Sequence, residues 1–283
     1  MRQFLILALV PLACSREAPP PGAPPHRIVC LSCAGTDIFI ALGELDRVVA
    51  VEEDCPCPGT EDKVKIRNED HPGKLAPINV ESILALEPDL VIAQPDLRQA
   101  LEGRGLRVIW TVDHYTYANI PDLVRKIGKV LGIPERAQAL LDGMKEKEAE
   151  IRARTKGLPR VSVYYETTGI GWTMGNVGVM NSMIELAGGR NIADEIPKTW
   201  AVITPEAIFK ADPDVIIMGP WAESAEAAKA RPGWDKLKAV REGRVYKIEP
   251  EQRNVAQGTP RCVDECERLL LPWLHPELGG PGH

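Results

Sequence analysis

The 283-residue chain is poor in aromatic rings, with six Trp, five Tyr and three Phe making up 5% of it. A wide stacking platform for a large planar ligand is hard to build from so few. Basic charge is also in deficit: Lys and Arg number 34 against 40 Asp and Glu, a formal charge of −6. No basic run carries interleaved aromatics, so a nucleic-acid surface is excluded. After the first residues there is no apolar run of about 18, and nothing downstream reads as a membrane span. A recognisable Ser/His/Asp set, a phosphate-binding Gly loop and paired acid/base carboxylates are missing too, so the chain reads as a binder and not an enzyme.

What is present begins with an address. In "MRQFLILALVPLAC" a basic Arg2 precedes an apolar run from Phe4 to Leu12 and a small Ala13 before Cys14. This is the layout of a signal peptide, too short to span a bilayer. It resembles a bacterial lipoprotein signal, residues 1–14, in which Cys14 becomes the lipidated N-terminus; a plain secretory signal is the alternative. The Pro-rich "SREAPPPGAPPH", 15–26, reads as an extended tether.

From Arg27 onward, short apolar runs alternate with amphipathic stretches: "RIVCL", "TDIFIALGEL", "RVVAV", "VESILALE", "DLVIA", "LRQALEGRG" and "RVIWTV". This alternation predicts an α/β layer around a mostly parallel sheet. The segment 121–157, with apolar residues at helical spacing and Pro134 opening its second half, predicts about two dozen residues of unbroken helix. Strand and helix then alternate again from "RVSVYYE" to "DECERLLLPWL". "VESILALEPDLVIA" and "PEAIFKADPDVIIM" are in register, matching Glu81 to Glu206, Ile83 to Ile208 and Pro88-Asp89 to Pro213-Asp214. Two similar α/β lobes, 27–120 and 158–277, are therefore expected on either side of one long helix, with 278–283 as a tail.

"RIVCLSCAGTDIFIALGELDRVVAV", "VRKIGKVLG", "MIELAGGRNIA", "WDKLKAVREGRVYKI" and the two repeat units occur in an order that resembles the helical-backbone class of ABC-transporter substrate-binding proteins. These serve importers of cobalamin, siderophores, haem and related metal complexes. The resemblance implies two Rossmann-like lobes, mostly parallel in their sheets, with a ligand cleft between them and a stiff interlobe helix. It also implies periplasmic or outer-surface location, a permease and its ATPase as partners, a monomer, and no cofactor required for activity. In the cobalamin-binding members one Glu per lobe docks to permease arginines, and Glu81 and Glu206 occupy those positions. The same two residues also read as solvated carboxylates favoured at a helix N-terminus.

Apart from Cys14, the cysteines come in pairs: Cys30 and Cys33, Cys55 and Cys57, Cys262 and Cys266. In parallel α/β sheets ligands bind at strand carboxyl ends. The first two pairs are expected there, and the third one turn apart on the last helix beside the cleft. Three readings stay open. The thiols hold a metal ion or an iron–sulfur species as cargo; they pair as disulfides in a cobalamin or siderophore carrier; or Cys30 and Cys33 form a thiol–disulfide oxidoreductase site.

Further cleft candidates are His114, Tyr115 and Tyr117 after the strand "RVIW", and Tyr165, Glu166 and Trp172 where the first strand of the second lobe runs out. Arg253 and Arg261 beside the last cysteines are suited to carboxylates or phosphates of a ligand. Solvated, surface-packing and ordinary surface-arginine roles are the alternatives for the His, the Trp and the two Arg. The expected function is extracytoplasmic capture of a metal-containing solute.

Overall fold

The computed structural model describes residues 23–53, 55, 57–66, 79–111 and 116–278. The first lobe holds β1 (Ile28–Leu31), β2 (Val48–Glu52), β3 (Val64–Ile66), β4 (Leu90–Ala93) and β5 (Val108–Trp110). They form a parallel sheet in the order β3-β2-β1-β4-β5. The second lobe holds β6 (Val161–Glu166), β7 (Trp172–Met174), β8 (Gly189–Asn191), β9 (Trp200–Val202), β10 (Val215–Met218) and β11 (Val245–Lys247). Four of these make a second parallel sheet, β11-β10-β6-β8, while β7 and β9 pair antiparallel as a small ribbon. In β1, β4 and β10 every residue is buried, so these central strands read as continuous apolar runs and not as alternation.

The helices used below are α1 (Cys33–Ala41), α2 (Val80–Ala85), α3 (Arg98–Leu101), α4 (Ile120–Leu131), α5 (Pro134–Thr155), α6 (Val179–Leu186) and α7 (Pro205–Ala211). The segment 121–157 is thus two helices. Gly132 takes the left-handed conformation (φ +73°) that caps α4, and Pro134 starts α5. The two pack so closely that a Cβ on Gly128 would lie 2.3 Å from that of Ala137. The 22-residue α5 joins the lobes. Near its start Arg136 pairs with Glu44 of the first lobe at 2.6 Å, and near its end Arg154 pairs with Glu267 of the second at 2.7 Å.

The repeat seen in the sequence has a structural content. Asn79 accepts from the Ser82 N–H (3.0 Å) and Thr204 from the Ala207 N–H (3.3 Å), capping α2 and α7 alike. Both units then leave the helix through a left-handed residue, Glu87 (φ +46°) and Asp212 (φ +39°), the two non-glycine positions with positive φ among the described residues. Asp89 accepts from the backbone N–H groups of His26 (2.8 Å) and Arg27 (2.9 Å), and Asp214 from that of Ser162 (2.8 Å). Each Pro-Asp therefore places a carboxylate on N–H groups at the head of its lobe's first strand.

Candidate functional site

The sheet orders place the switch of direction between β1 and β4 in one lobe and between β6 and β10 in the other. Ligands of open α/β sheets bind outside the carboxyl ends of strands at such points. A cleft of about 760 Å³ lies there, lined by Cys55, Cys57, Thr60 and Lys65 from the first lobe and by Trp221, Arg253, Asn254 and Arg261 from the second.

Two of the six thiols, Cys55 and Cys57, line it, and Cys33 stands beside them. Cys33 is the first residue of α1, whose N-cap Ser32 accepts from the Gly35 N–H at 3.3 Å. Cys55 and Cys57 follow β2, with their Sγ atoms 2.8 Å apart. Cys33 and Cys55 are hydrogen-bonded through their side chains, and Arg253 Nη2 stands 3.3 Å from the Cys33 Sγ. Hydrogen bonds from Cys33 and Cys57, outweighing burial and helped by the Arg253 charge, hold the Cys55 thiol far below the ordinary thiol range. The same bonds, together with burial, push Cys33 and Cys57 upward. All six described cysteines are free.

The other three thiols are not brought to this wall. Cys30 lies within β1, fully buried, with its Sγ against the Ser32 carbonyl at 3.3 Å; burial pushes its pKa to about 12. Cys262 and Cys266 stand on the last helix, which runs Cys262–Glu265 and then loosens into a π turn, Cys266–Leu270. Both are fully buried in the apolar core, Cys266 against the Met183 carbonyl of α6 at 3.3 Å, and burial pushes both thiols up. The convergence of three pairs on one opening is corrected to a cluster of Cys33, Cys55 and Cys57. Among the described residues no three Cys, His, Asp or Glu side chains stand in ready metal-binding geometry.

The remaining candidates divide. Arg253 and Arg261 line the cleft, and both reach across it: Arg253 to Cys33, and Arg261 Nε to Asp37 Oδ1 on α1 at 2.5 Å. Tyr165 and Glu166 do not face it. Tyr165 points into the core at 0% exposure, and Glu166, equally buried, is held by Arg231 through two bonds of 2.7 and 2.5 Å and by the Tyr164 hydroxyl at 3.0 Å. Adjacent residues of a strand face opposite sides of its sheet, and here both sides are covered. Tyr117 donates its hydroxyl to Glu148 on α5 and does not line the cleft. Trp172 is 54% exposed on the β7–β9 ribbon with Trp200 and Val202, and it is Trp221 that lines the cleft. Trp221 was missed although it follows "DVIIMG", a strand whose carboxyl end the same rule selects. His114, Tyr115 and Cys14 lie outside the described residues. Glu81 and Glu206 are exposed in the first turns of α2 and α7.

The model of the family described as "Periplasmic binding protein" matches residues 28–252. The chain belongs to the periplasmic binding protein family. It is 29% identical over 257 residues to YvrC, an ABC transporter substrate-binding lipoprotein of Bacillus subtilis, covering 87% of this chain and 79% of that one. A cobalamin-binding protein of Halobacterium salinarum is 28% identical over 261 residues, covering 87% and 68%. The periplasmic haem-binding protein RhuT of Roseiflexus shares the fold with a TM-score of 0.75 at 23% identity, over 88% of this chain and 98% of that one. Members of the family are substrate-binding transport proteins and not enzymes; they capture small solutes outside the cytoplasm for a permease and its ATPase. This periplasmic binding protein is accordingly a solute-binding component of an ABC importer.

Proposed function

We propose that this protein captures a metal-bearing solute between its lobes, holds it through cysteine sulfurs and delivers it to the permease. The observation that carries the reading is the meeting of Cys33, Cys55 and Cys57 beside the interlobe cleft, with Arg253 reaching them from the second lobe. Thiolates are soft ligands and select metals over organic solutes. The metal-centred ligands in the names of the Halobacterium and Roseiflexus proteins agree with such a cargo. The rival reading is a cobalamin or siderophore carrier with its cysteines in disulfides. Glu81 and Glu206, exposed on matching helices of the two lobes, are assigned to permease docking, and Cys14 to a lipid anchor that holds a monomer at the membrane.

Protein purified without oxygen tests this by elemental analysis and a visible spectrum. Bound metal with thiolate-to-metal absorption is expected. Metal-free, colourless protein that takes up no metal species on addition, with all thiols titratable, would overturn it.

A further inference from the structure

We propose that Asp37 is a positioning residue for the cleft: from α1 of the first lobe it holds Arg261 of the second, and this ion pair fixes the angle at which the lobes face each other. The inference does not depend on what the solute is, and so it stands apart from the metal-bearing reading above.

Asp37 is an acid in a stretch that is otherwise covered core. Every residue of α1 from Ala34 to Phe39 is buried, and Asp37 has 0% exposure. A carboxylate so placed needs a counter-charge. The one it receives comes from the other lobe: Arg261, at the head of the last helix, donates its Nε to Oδ1 at 2.5 Å and its Nη2 to the same oxygen. Oδ2 is buried without a hydrogen-bond partner among the described residues, so the carboxylate is answered at one oxygen only. Cys33 and Asp37, four residues apart, share a face of α1. Arg253 Nη2 meets the Cys33 Sγ there at 3.3 Å. The second-lobe segment 253–261 thus touches this face twice, and the Asp37 contact is the one that joins opposite charges.

Arg261 stands between two spaces. It lines the cleft, and it also lines a cavity of about 390 Å³ behind it, bounded by Leu140 and Met144 of α5 and by Val263 of the last helix. Its side chain is 30% exposed, so the guanidinium is held in place by the carboxylate rather than by close packing. Parting the lobes along this seam strips Asp37 of its counter-charge, which is costly unless water follows. The pair therefore favours one arrangement of the lobes over more open ones. In that arrangement Arg253 and Asn254 of the second lobe are kept opposite Cys55 and Cys57 of the first.

The test compares the whole protein with Asp37→Asn and with the double variant Asp37→Asn, Arg261→Gln, by small-angle scattering and hydrogen–deuterium exchange. The double variant leaves no unpaired charge at the seam and serves if the single one does not fold. In the variants the radius of gyration is expected to rise. The amides of 254–262 and of the first turn of α1 are expected to exchange about tenfold or more faster, with those of β4 and β10 unchanged. A scattering profile identical to that of the wild type would overturn the proposal. Faster exchange confined to one lobe would overturn it too, because the pair would then stabilise that lobe and not the angle between the two. Neither readout involves the solute, so failure here leaves the metal-bearing reading intact.

Discussion

Glu166→Gln separates a ligand-binding carboxylate from a structural one. The Glu166 side chain is fully buried and receives Arg231 through two bonds and Tyr164 through a third, while Arg231 is itself only 11% exposed and lies 4.2 Å over the Trp234 ring. Glutamine keeps the volume but leaves the guanidinium without its buried counter-charge. Removing one partner of a buried ion pair costs about 3–5 kcal/mol. Arg231 retains Glu223 at 2.5 Å, which places the loss near the lower figure. For a protein of this size about 3 kcal/mol corresponds to a fall in Tm of roughly 6–12 °C. Differential scanning calorimetry reads the melt, and calorimetric titration with cadmium reads the site. The expected result is a lowered Tm with unchanged affinity at temperatures where the variant is folded. A native melt with weakened binding would refute the placement of Glu166 in the interior.

Gly35→Ala should destabilise by about 1–3 kcal/mol in denaturant titration, because its Cβ would come within 2.9 Å of both the Cys30 Sγ and Ile92 Cγ2. Asp214→Asn should destabilise in a pH-dependent way. Burial alone would raise the Asp214 carboxyl, but the bonds from Lys238 and the Ser162 N–H outweigh it and hold it below the usual carboxylate range. Its contribution is thus present above the unfolded value of about 3.9 and lost as pH falls through the folded one, so the Tm gap between variant and wild type should close in acid; a constant gap would contradict it. The double variant Glu81→Arg, Glu206→Arg should abolish uptake in cells while leaving solute affinity unchanged, since both side chains are exposed and remote from the thiols in sequence; equal uptake would remove their docking role.

Most of the architecture could be read from periodicity. The buried runs of β1, β4 and β10 have no competing interpretation, and the repeat around Pro88-Asp89 and Pro213-Asp214 preserved its meaning because one carboxylate must satisfy strand-head N–H groups in each lobe. Helix division at Gly132 was less visible, since apolar spacing continues across it and only the left-handed cap stops α4. The short strands β3, β7, β8 and β9, of three residues each, carry too little pattern to stand out. At the site, sequence brought Cys33, Cys55 and Cys57 to the right end of the sheet. It could not tell a strand residue such as Cys30 from the helix-start residue three positions later, nor that Cys262 and Cys266 face the core. Pairing in sequence is set by spacing; meeting in space is set by which face each backbone position presents.

The central claim is that sulfur from this chain touches a metal in the cleft. X-ray absorption at the edge of whichever metal copurifies with anaerobically prepared protein reads that contact directly. Sulfur neighbours at about 2.3 Å, lost in the Cys33, Cys55, Cys57 triple serine variant, are the expected result. A metal shell of oxygen and nitrogen alone, unchanged in that variant, would contradict it.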